Sequence, residues 1–428
     1  MHFSIAFFIT NQFVLMSLTV VTGMLLGKLK IKEFSLGTSG TLFTGILIGW
    51  FVFKYFALPY IDTESPPTFA RGLIQHQVVS KDFFLFTLIM FIAAVGLRAS
   101  SNLGSAIKKF GAKLIILGFI LPFTGALMCY LLSLLLKLSI NSNRASEISN
   151  TLPIITAIPG VFTGALTSSP GLAAALEAVA GSGEKIESMV GFGYSVGYIP
   201  GVITVILGIS ILPMLFKLNI NREREYFNQW LENHPKNRNL PSFSNSEAFS
   251  VLSFSFVCLV GYIIGSIKIH PGGNEHGYGL GLTGGVLISA LTMGYIGKVW
   301  IFNFRMNGKI LASIRDLSLA IFLGIVGLRY GYTTVSSLTR DGMYLALIAF
   351  ASAISAILTG FIIGRYLFKM NWIILAGGIC GSMTSTPGLG AAIDSTGSEE
   401  VIIGYGASYP FALIGMVIFT ILLNNLIQ

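Results

Sequence analysis

The chain has 428 residues, of which 53% are hydrophobic and only 11% are charged. Soluble domains carry about 25% charged residues, so this composition excludes an ordinary water-soluble protein and indicates one that crosses a membrane several times. The net charge of +9 does not indicate a nucleic-acid binder, because the basic residues cluster in short segments between apolar runs, where membrane orientation explains them.

The predicted helices follow one another as two sets of six apolar runs. The first run, near residues 5–26, has no basic leader and no small-residue cleavage site, so we predict a retained helix and not a signal peptide. The fifth run of each set is broken by proline. The runs lie near 4–27, 37–57, 83–98, 113–136, 150–180 and 188–216, and near 248–268, 279–301, 316–333, 342–364, 371–396 and 401–425.

Internal repetition divides the chain into two halves. Segments of the first half return in the second half in the same order. We therefore predict a first membrane repeat over 1–216, a cytoplasmic linker over 217–247 and a second membrane repeat over 248–428. The repeated pairs are GMLLGKLKI (23–31) and GYIIGSIKI (261–269), GTLFTGILIG (40–49) and GVLISALTMG (285–294), FIAAVGLR (91–98) and FLGIVGLR (322–329), and GFGYS (191–195) and GYGAS (404–408).

The path of the fifth run decides how the two repeats are related. If this run crosses the membrane, each half has six crossings and the halves are parallel. If it dips in and returns, each half has five crossings and the halves are inverted. With the N-terminus outside, the second arrangement places about twice as many basic residues inside as outside, as short cytoplasmic loops require. We predict an all-α polytopic protein of two inverted repeats, each with about five transmembrane helices and a re-entrant hairpin, and with both termini outside.

The broken segment is the strongest functional signal in the chain. It occurs as GVFTGALTSSPGLAAALE (160–177) and again as GGICGSMTSTPGLGAAID (377–394). Paired breaks at corresponding positions mark the substrate site of inverted-repeat carriers. The helix starts at Pro170 and Pro387 suit an anion, whereas carbonyls freed at the break would suit a cation, and a purely structural kink is a third interpretation. The predicted substrate contacts are Thr167, Ser168, Ser169, Gly171, Thr384, Ser385, Thr386 and Gly388.

Four charged residues complete the predicted site. Arg98 and Arg329 each follow an identical VGL, and each either snorkels to the interface or pairs with a substrate carboxylate. Glu177 and Asp394 close the two broken motifs, as proton- or sodium-coupling groups or as solvated helix ends.

No catalytic constellation is evident in the sequence. Cys129, Cys258 and Cys380 fall within apolar segments, and the loop that holds His270, Glu275 and His276 is better explained as a solvated loop than as a metal site. We expect no enzyme, no cofactor and no metal. A channel is also disfavoured, since no repeated carbonyl motif or ring of charge occurs.

The segments GALTSSPGLAAALE, GSMTSTPGLGAAID and GYGASYPFALIG resemble the paired signatures of the aspartate:alanine exchanger family. The resemblance spans both halves. It implies a secondary transporter of the bacterial inner membrane that exchanges or exports a small amino acid or dicarboxylate by alternating access, in an elevator-type motion. The alternative is a sodium- or proton-coupled carrier of the same inverted-repeat superfamily.

The same resemblance implies a homodimer embedded in lipid, with no nucleic-acid partner. We expect the first two helices of each half to form the scaffold, and the glycine faces Gly23/Gly27 and Gly40/Gly45/Gly49 to allow close helix packing. Typical members of the family carry soluble regulatory domains between the halves. Here a short basic linker stands in that place, so gating through such domains is not expected.

Overall fold

The computed structural model describes residues 8–28, 30–31, 34–35, 37–63, 65–110, 112–143, 154–233, 248–269, 278–279, 281–336, 340–398 and 400–427. Within these ranges the chain is almost entirely helical, and seven helices are long and apolar enough to cross a membrane. The prediction of an all-α polytopic membrane protein is confirmed. The strands are short antiparallel pairs between helices: β1 (Lys30–Ile31) with β2 (Phe34–Ser35), β3 (Lys268–Ile269) with β4 (Tyr278–Gly279), and β5 (Lys298–Val299) with β6 (Phe302–Asn303).

Apart from α3, the helices repeat in the same order in the two halves, with a helix in the linker between them. Single π-helical turns, Phe53–Ala57 and Ile363–Leu367, follow α2 and α13. The helices are α1 (Gln12–Lys28), α2 (Gly40–Val52), α3 (Thr68–His76), α4 (Lys81–Phe110), α5 (Ala112–Asn143), α6 (Ile158–Ala165), α7 (Ser169–Ala178), α8 (Glu184–Leu215), α9 (Ile220–Asn233), α10 (Val251–Ser266), α11 (Gly281–Ile296), α12 (Gly308–Ser336), α13 (Arg340–Ile362), α14 (Trp372–Ser382), α15 (Thr386–Thr396) and α16 (Val401–Ile427).

The first broken segment, α6 and α7, is a re-entrant hairpin that we call hairpin 1. Helix α6 runs parallel to α8, because Gly160 lies against Val190 and Gly164, one turn further on, lies against Tyr194 and Gly197. The five residues between α7 and α8 span about 20 Å at most, less than the roughly 30 Å of the bilayer core. A crossing segment would therefore end too far away for α8 to start beside α6, so the chain must turn back at the break.

The second broken segment, α14 and α15, is hairpin 2 and has the same construction. Gly377 lies against Val401, and Gly381, one turn further on, lies against Tyr405 and Ser408, so α14 and α16 also run parallel. The predicted re-entrant path is thus confirmed in both halves.

Helix directions establish that the repeats are inverted. Gly45 lies against Gly324 and Gly49 against Leu328, so α2 and α12 are parallel. Five crossings per half make these two helices parallel, whereas six would make them antiparallel. The protein therefore has a terminal face, where α1 begins and α16 ends, and a linker face, where α8 ends and α10 begins.

The contacts between helices divide the protein into two bodies. The scaffold is α1, α2, α4, α10, α11 and α12, and the hairpin body is α5 to α8 with α13 to α16. The hydrophobic core of the scaffold continues into the hairpin body through residues of α7, α8 and α16. The predicted glycine faces are used within the chain, since Gly23 and Gly27 pack against the start of α2, and Gly45 and Gly49 pack against α12. These glycines therefore hold the scaffold of one protomer together.

The predicted linker contains a helix, α9, that holds hairpin 2 by both ends. The Glu223 carboxylate accepts hydrogen bonds from both terminal nitrogens of Arg365, at 2.8 and 3.2 Å, and from the Trp372 backbone N–H at 2.9 Å. The adjacent Arg224 donates to the carbonyl of Gly397 at 3.3 Å. Neighbouring residues of one helix thus fix the start and the end of hairpin 2.

Candidate functional site

Both hairpins turn at a threonine with left-handed backbone. The φ angle is 55° at Thr167 and 52° at Thr384. Branching at Cβ makes this conformation costly, by about 1–3 kcal/mol, and residues held in it cluster at functional sites. The same unusual φ angle occurs at equivalent positions of both repeats. The left-handed turn is therefore a specific structural feature of each hairpin tip.

The serine after each threonine caps the following helix. The hydroxyls of Ser168 and Ser385 accept hydrogen bonds from the backbone N–H groups of Gly171 and Gly388, each at 3.1 Å. Both serines are fully buried. Serine is a preferred N-cap, and proline fits the first turn, so the S-S-P-G and S-T-P-G sequences explain where α7 and α15 begin. These two hydroxyls, predicted to contact substrate, lie in helix caps.

The two glycines after proline pack against neighbouring helices. A Cβ atom on Gly171 would lie 2.9 Å from the Thr163 side chain and 3.0 Å from that of Met416, and one on Gly388 would lie 2.8 Å from Val205. A larger residue has no room at either position. Close packing therefore accounts for glycine here, and the structure does not place either residue against the cavity described below.

The tips of the two hairpins meet inside the protein. The Thr167 hydroxyl donates a hydrogen bond to the carbonyl of Met383, at 3.2 Å, which joins the first tip to the second. Thr384 occupies the equivalent position in hairpin 2, yet its hydroxyl is buried without a hydrogen-bond partner among the described residues. An unpaired buried hydroxyl is costly, so this atom is available to a ligand.

A cavity of about 300 Å³ lies beside these tips, between the scaffold and the hairpin body. Hydroxyl groups dominate its polar lining, and Arg315 and Asp316 of α12 are its charged side chains among the described residues. Asp316 is 52% exposed, and both residues lie near the linker-face end of α12, so the cavity opens toward that face. Its lining residues are Gly37, Thr38, Phe91, Thr167, Ser169, Pro170, Tyr198, Arg315, Asp316, Leu319, Thr384, Thr386, Pro387 and Tyr409.

Tyrosines of the hairpin body lie behind the cavity hydroxyls. Ser169 and the Tyr194 hydroxyl are 3.4 Å apart, and Thr386 lies near Tyr405 in the same arrangement. Each pair joins the first residue of a hairpin's second helix to the long helix that follows it. The hydroxyls of Ser169 and Thr386 are thereby held in place beside the tips.

The cavity favours negative charge. The helix starts of α7 and α15, at Pro170 and Pro387, meet there, and the turn at Gly37 that leads into α2 adds a third helix start. Each carries the positive end of a helix dipole. Arg315 adds a full charge, which Asp316 partly offsets through a hydrogen bond of 2.8 Å from Nε.

Sequence reasoning missed Arg315 and Asp316, which lie where the predicted apolar run 316–333 begins. The repeat register pairs them with Phe84 and Leu85 of the first half. A charged pair that replaces an apolar pair within one copy of a repeat was the available signal.

The two predicted arginines lie in different places. Arg98 interacts electrostatically with Arg315, Asp316 and Tyr409, three residues that line the cavity. Arg329 donates hydrogen bonds to the Val79 carbonyl and to the Gln77 side chain. It belongs to a smaller pocket, of about 170 Å³, near the terminal face. The structure therefore brings Arg98, and not Arg329, toward the hydroxyls of the hairpin tips.

The two predicted acids also differ. Glu177, at the end of α7, accepts hydrogen bonds from the backbone N–H groups of Leu282 and of Thr283, the latter at 2.7 Å, at the start of α11. Asp394, its equivalent in hairpin 2, is exposed to solvent. Glu177 thus joins hairpin 1 to the scaffold, and Asp394 makes no such contact with a scaffold helix start.

Metal-ligating side chains do not cluster within the part of the chain that the structure describes. Cys129 and Cys380 are buried, and all three cysteines are free. His270, Glu275 and His276 lie outside the described residues.

Comparison with known proteins identifies a match to the family model Asp-Al_Ex, described as a predicted permease membrane region, over residues 15–214 and 253–425. The unmatched interval contains α9. No solved structure matches the chain.

The relatives are named as transporters. An uncharacterized transporter of Bacteroides fragilis is 35% identical over 38% of this chain, and one of Bacteroides thetaiotaomicron is 36% identical over 32% of it. These alignments span 30% and 26% of the two Bacteroides proteins. An uncharacterized transporter of Desulfotalea psychrophila is 21% identical, and that alignment covers 98% of both chains.

Proposed function

Because the chain belongs to the Asp-Al_Ex family of permease membrane regions, we propose that it is a secondary transporter that exchanges or exports a small amino acid or dicarboxylate. The observation that carries this proposal is the meeting of two strained hairpin tips, at Thr167 and Thr384, beside a cavity that opens toward one face. Paired helix breaks of this kind form the substrate sites of inverted-repeat carriers.

The electrostatics of the cavity support an acidic substrate. Three helix starts and Arg315 favour anions, and the orphaned Thr384 hydroxyl offers a neutral contact. A carboxylate binds at the starts of α7 and α15, and a second carboxylate pairs with Arg315. The size of the cavity, at the lower end of the usual range for ligand sites, fits a small metabolite.

The division into two bodies supports an elevator-type mechanism. The helices pack mainly within each body, and the cavity lies at the boundary between the bodies. The hairpin body carries the substrate past the scaffold, and a scaffold-to-scaffold homodimer anchors the assembly in the lipid. With the termini outside and the linker in the cytoplasm, this structure faces inward in the bacterial inner membrane.

A sodium- or proton-coupled carrier is less well supported. Coupled cation sites use carboxylates that are free to bind the ion. Asp316 is the acid among the described cavity residues. Its carboxylate forms a salt bridge with Arg315, with 2.6 Å between Oδ1 and Nη2. A cation would have to displace that guanidinium.

Counterflow in proteoliposomes tests the proposal. Vesicles loaded with unlabelled aspartate or alanine should accumulate labelled aspartate without an imposed sodium or proton gradient. Arg315→Gln should weaken uptake by about 10- to 100-fold, as expected for loss of a charge-assisted contact, and Arg315→Lys should restore only part of it. Arg222→Gln on the exposed linker helix is the matched control and should transport normally. Absence of counterflow with any amino acid or dicarboxylate, or full activity of Arg315→Gln, would refute this substrate assignment.

A further inference from the structure

The contact between Glu177 and the start of α11 joins hairpin 1 to the scaffold at the terminal face. Both carboxylate oxygens of Glu177 accept backbone N–H groups, those of Leu282 and Thr283. Gly281, just before them, has a φ of 66°, and a Cβ atom there would lie 2.7 Å from the Glu177 carboxylate carbon. The carboxylate is therefore seated directly on the backbone at a glycine turn, where the free N–H groups and the helix dipole favour it.

The scaffold contains a second turn of the same construction on the linker face. Gly37 has a φ of 53°, and Gly27 of α1 packs against it. In the second half, Gly265 packs in the same way against Gly281. Because Gly27 and Gly265 are equivalent in the repeat and each packs on one of these turns, Gly37 is the structural counterpart of Gly281, one residue away from the register of the following helix.

This equivalence identifies the counterparts of the N–H groups that bind Glu177. They are the backbone N–H groups of the two residues after Gly37, namely Thr38 and Ser39. The counterpart of Glu177 itself is Asp394, since these two acids close the repeated motif. In the structure Asp394 is exposed, and Gly37 and Thr38 line the open cavity. One copy of the contact is formed, and the other copy is not.

We propose that Glu177 and Asp394 are reciprocal gate residues. Glu177 on the start of α11 keeps the terminal face closed while the cavity faces the linker side. In the opposite state Asp394 docks on the N–H groups of Thr38 and Ser39 and closes the linker face, while Glu177 is released. The proposal rests on the alternating access proposed above, and it assigns to these acids a positioning role in place of ion coupling.

Cysteine reactivity tests the gates without requiring transport. In a chain whose three native cysteines are replaced by alanine, Leu319→Cys reports on the linker-face cavity and Leu85→Cys on the terminal-face pocket. A maleimide reagent is applied in detergent, where it reaches both faces. Glu177→Gln should speed labelling at Leu85→Cys and slow it at Leu319→Cys, with the ratio of the two rates changed by about 10- to 100-fold. Asp394→Asn should shift the ratio of the two labelling rates in the opposite direction, or leave labelling at Leu319→Cys at its maximal rate.

Two controls separate gating from general damage. Glu225→Gln removes an exposed carboxylate of α9 and should not alter the ratio. Shifts in the same direction for Glu177→Gln and Asp394→Asn, or no shift in Glu177→Gln, would overturn the proposal. If counterflow proceeds while the gates fail this test, the gate assignment is wrong and the transport function stands. If the ratio shifts as expected but no substrate exchanges, the transport proposal is the one that fails.

Crosslinking gives a second measurement that does not depend on removing charge. The pair Glu177→Cys with Leu282→Cys should form a disulfide in the state described here, because these residues are in contact. The pair Asp394→Cys with Thr38→Cys should form one in the opposite state, and its yield should rise when Glu177→Gln is added. Failure of the second pair to crosslink under conditions where the first pair does so would contradict the docking of Asp394 at this turn.

Discussion

Hairpin 1 and hairpin 2 have the same internal structure but different surroundings. Both turn at a left-handed threonine, both are capped by serine, and both pack in parallel on the following long helix. Hairpin 1 is fixed at its end to the scaffold through Glu177, whereas hairpin 2 is fixed to the linker helix through Glu223. The difference shows that the symmetry of the repeat is kept inside each hairpin and broken where each hairpin meets the rest of the protein.

The largest effect is expected where the two hairpins are alike. A Cβ atom on Gly160 would clash with the Val190 carbonyl, and one on Gly377 would clash with the Val401 carbonyl. Gly160→Ala and Gly377→Ala should each lower stability by about 3 kcal/mol, because a helix backbone must move away. The midpoint of thermal unfolding in detergent measures the loss.

Gly390 provides the matched control for these substitutions. It lies in α15 with open space around its Cα, so Gly390→Ala should be neutral or slightly stabilising. A large loss in only one of the two hairpins would show that their packing is less symmetric than the contacts indicate.

The next effect should be confined to hairpin 2. Glu223→Ala removes the partner of Arg365 and leaves the Trp372 N–H group at the start of α14 without its acceptor. We expect a loss of about 2 kcal/mol in unfolding free energy, as for hydrogen bonds to a charged group. Glu225→Ala, on the exposed side of the same helix, should change the unfolding midpoint little. Equal effects of the two substitutions would contradict the anchoring role of Glu223.

The smallest effect distinguishes the two tips. Thr167→Val leaves the buried Met383 carbonyl without its donor and should cost about 1 kcal/mol. Thr384→Val removes a hydroxyl that has no partner among the described residues, so stability should be unchanged or slightly higher. Substrate binding should nevertheless weaken in Thr384→Val. Unfolding midpoints measured with and without aspartate separate these outcomes, and a Thr384→Val protein that is stabilised by aspartate as fully as the wild type would argue against a role for this hydroxyl.

Sequence reasoning succeeded where the information is local or repeated. The positions of the helix breaks follow from proline and serine, and the two-fold repetition is visible as similar segments in the two halves of the sequence. The re-entrant path was inferred from loop charge and is confirmed by the parallel packing of α6 on α8. The helix-capping role of Ser168 and Ser385 was also within reach, because serine two residues before the proline-glycine pair is a helix-start pattern.

The missing parts of the site depend on contacts between distant segments. Arg315 faces the cavity only because α12 packs beside the hairpins, and the pairing of Glu177 with Thr283 joins residues more than 100 positions apart. Arg98 and Arg329 are equivalent in sequence, yet Arg329 lines the smaller pocket near the terminal face, whereas Arg98 lies near the larger cavity beside the hairpin tips. No sequence pattern predicts this difference between the two arginines.

The anchoring of hairpin 2 by α9 has a mechanical consequence. Glu223 and Arg224 are neighbours in one rigid helical turn, and they hold the first and last residues of hairpin 2. A force applied to the connection between the halves is therefore transmitted to the base of one hairpin, without passing through the bilayer. A change in the length of this segment, or a force on it, would therefore act directly on hairpin 2 and not on hairpin 1.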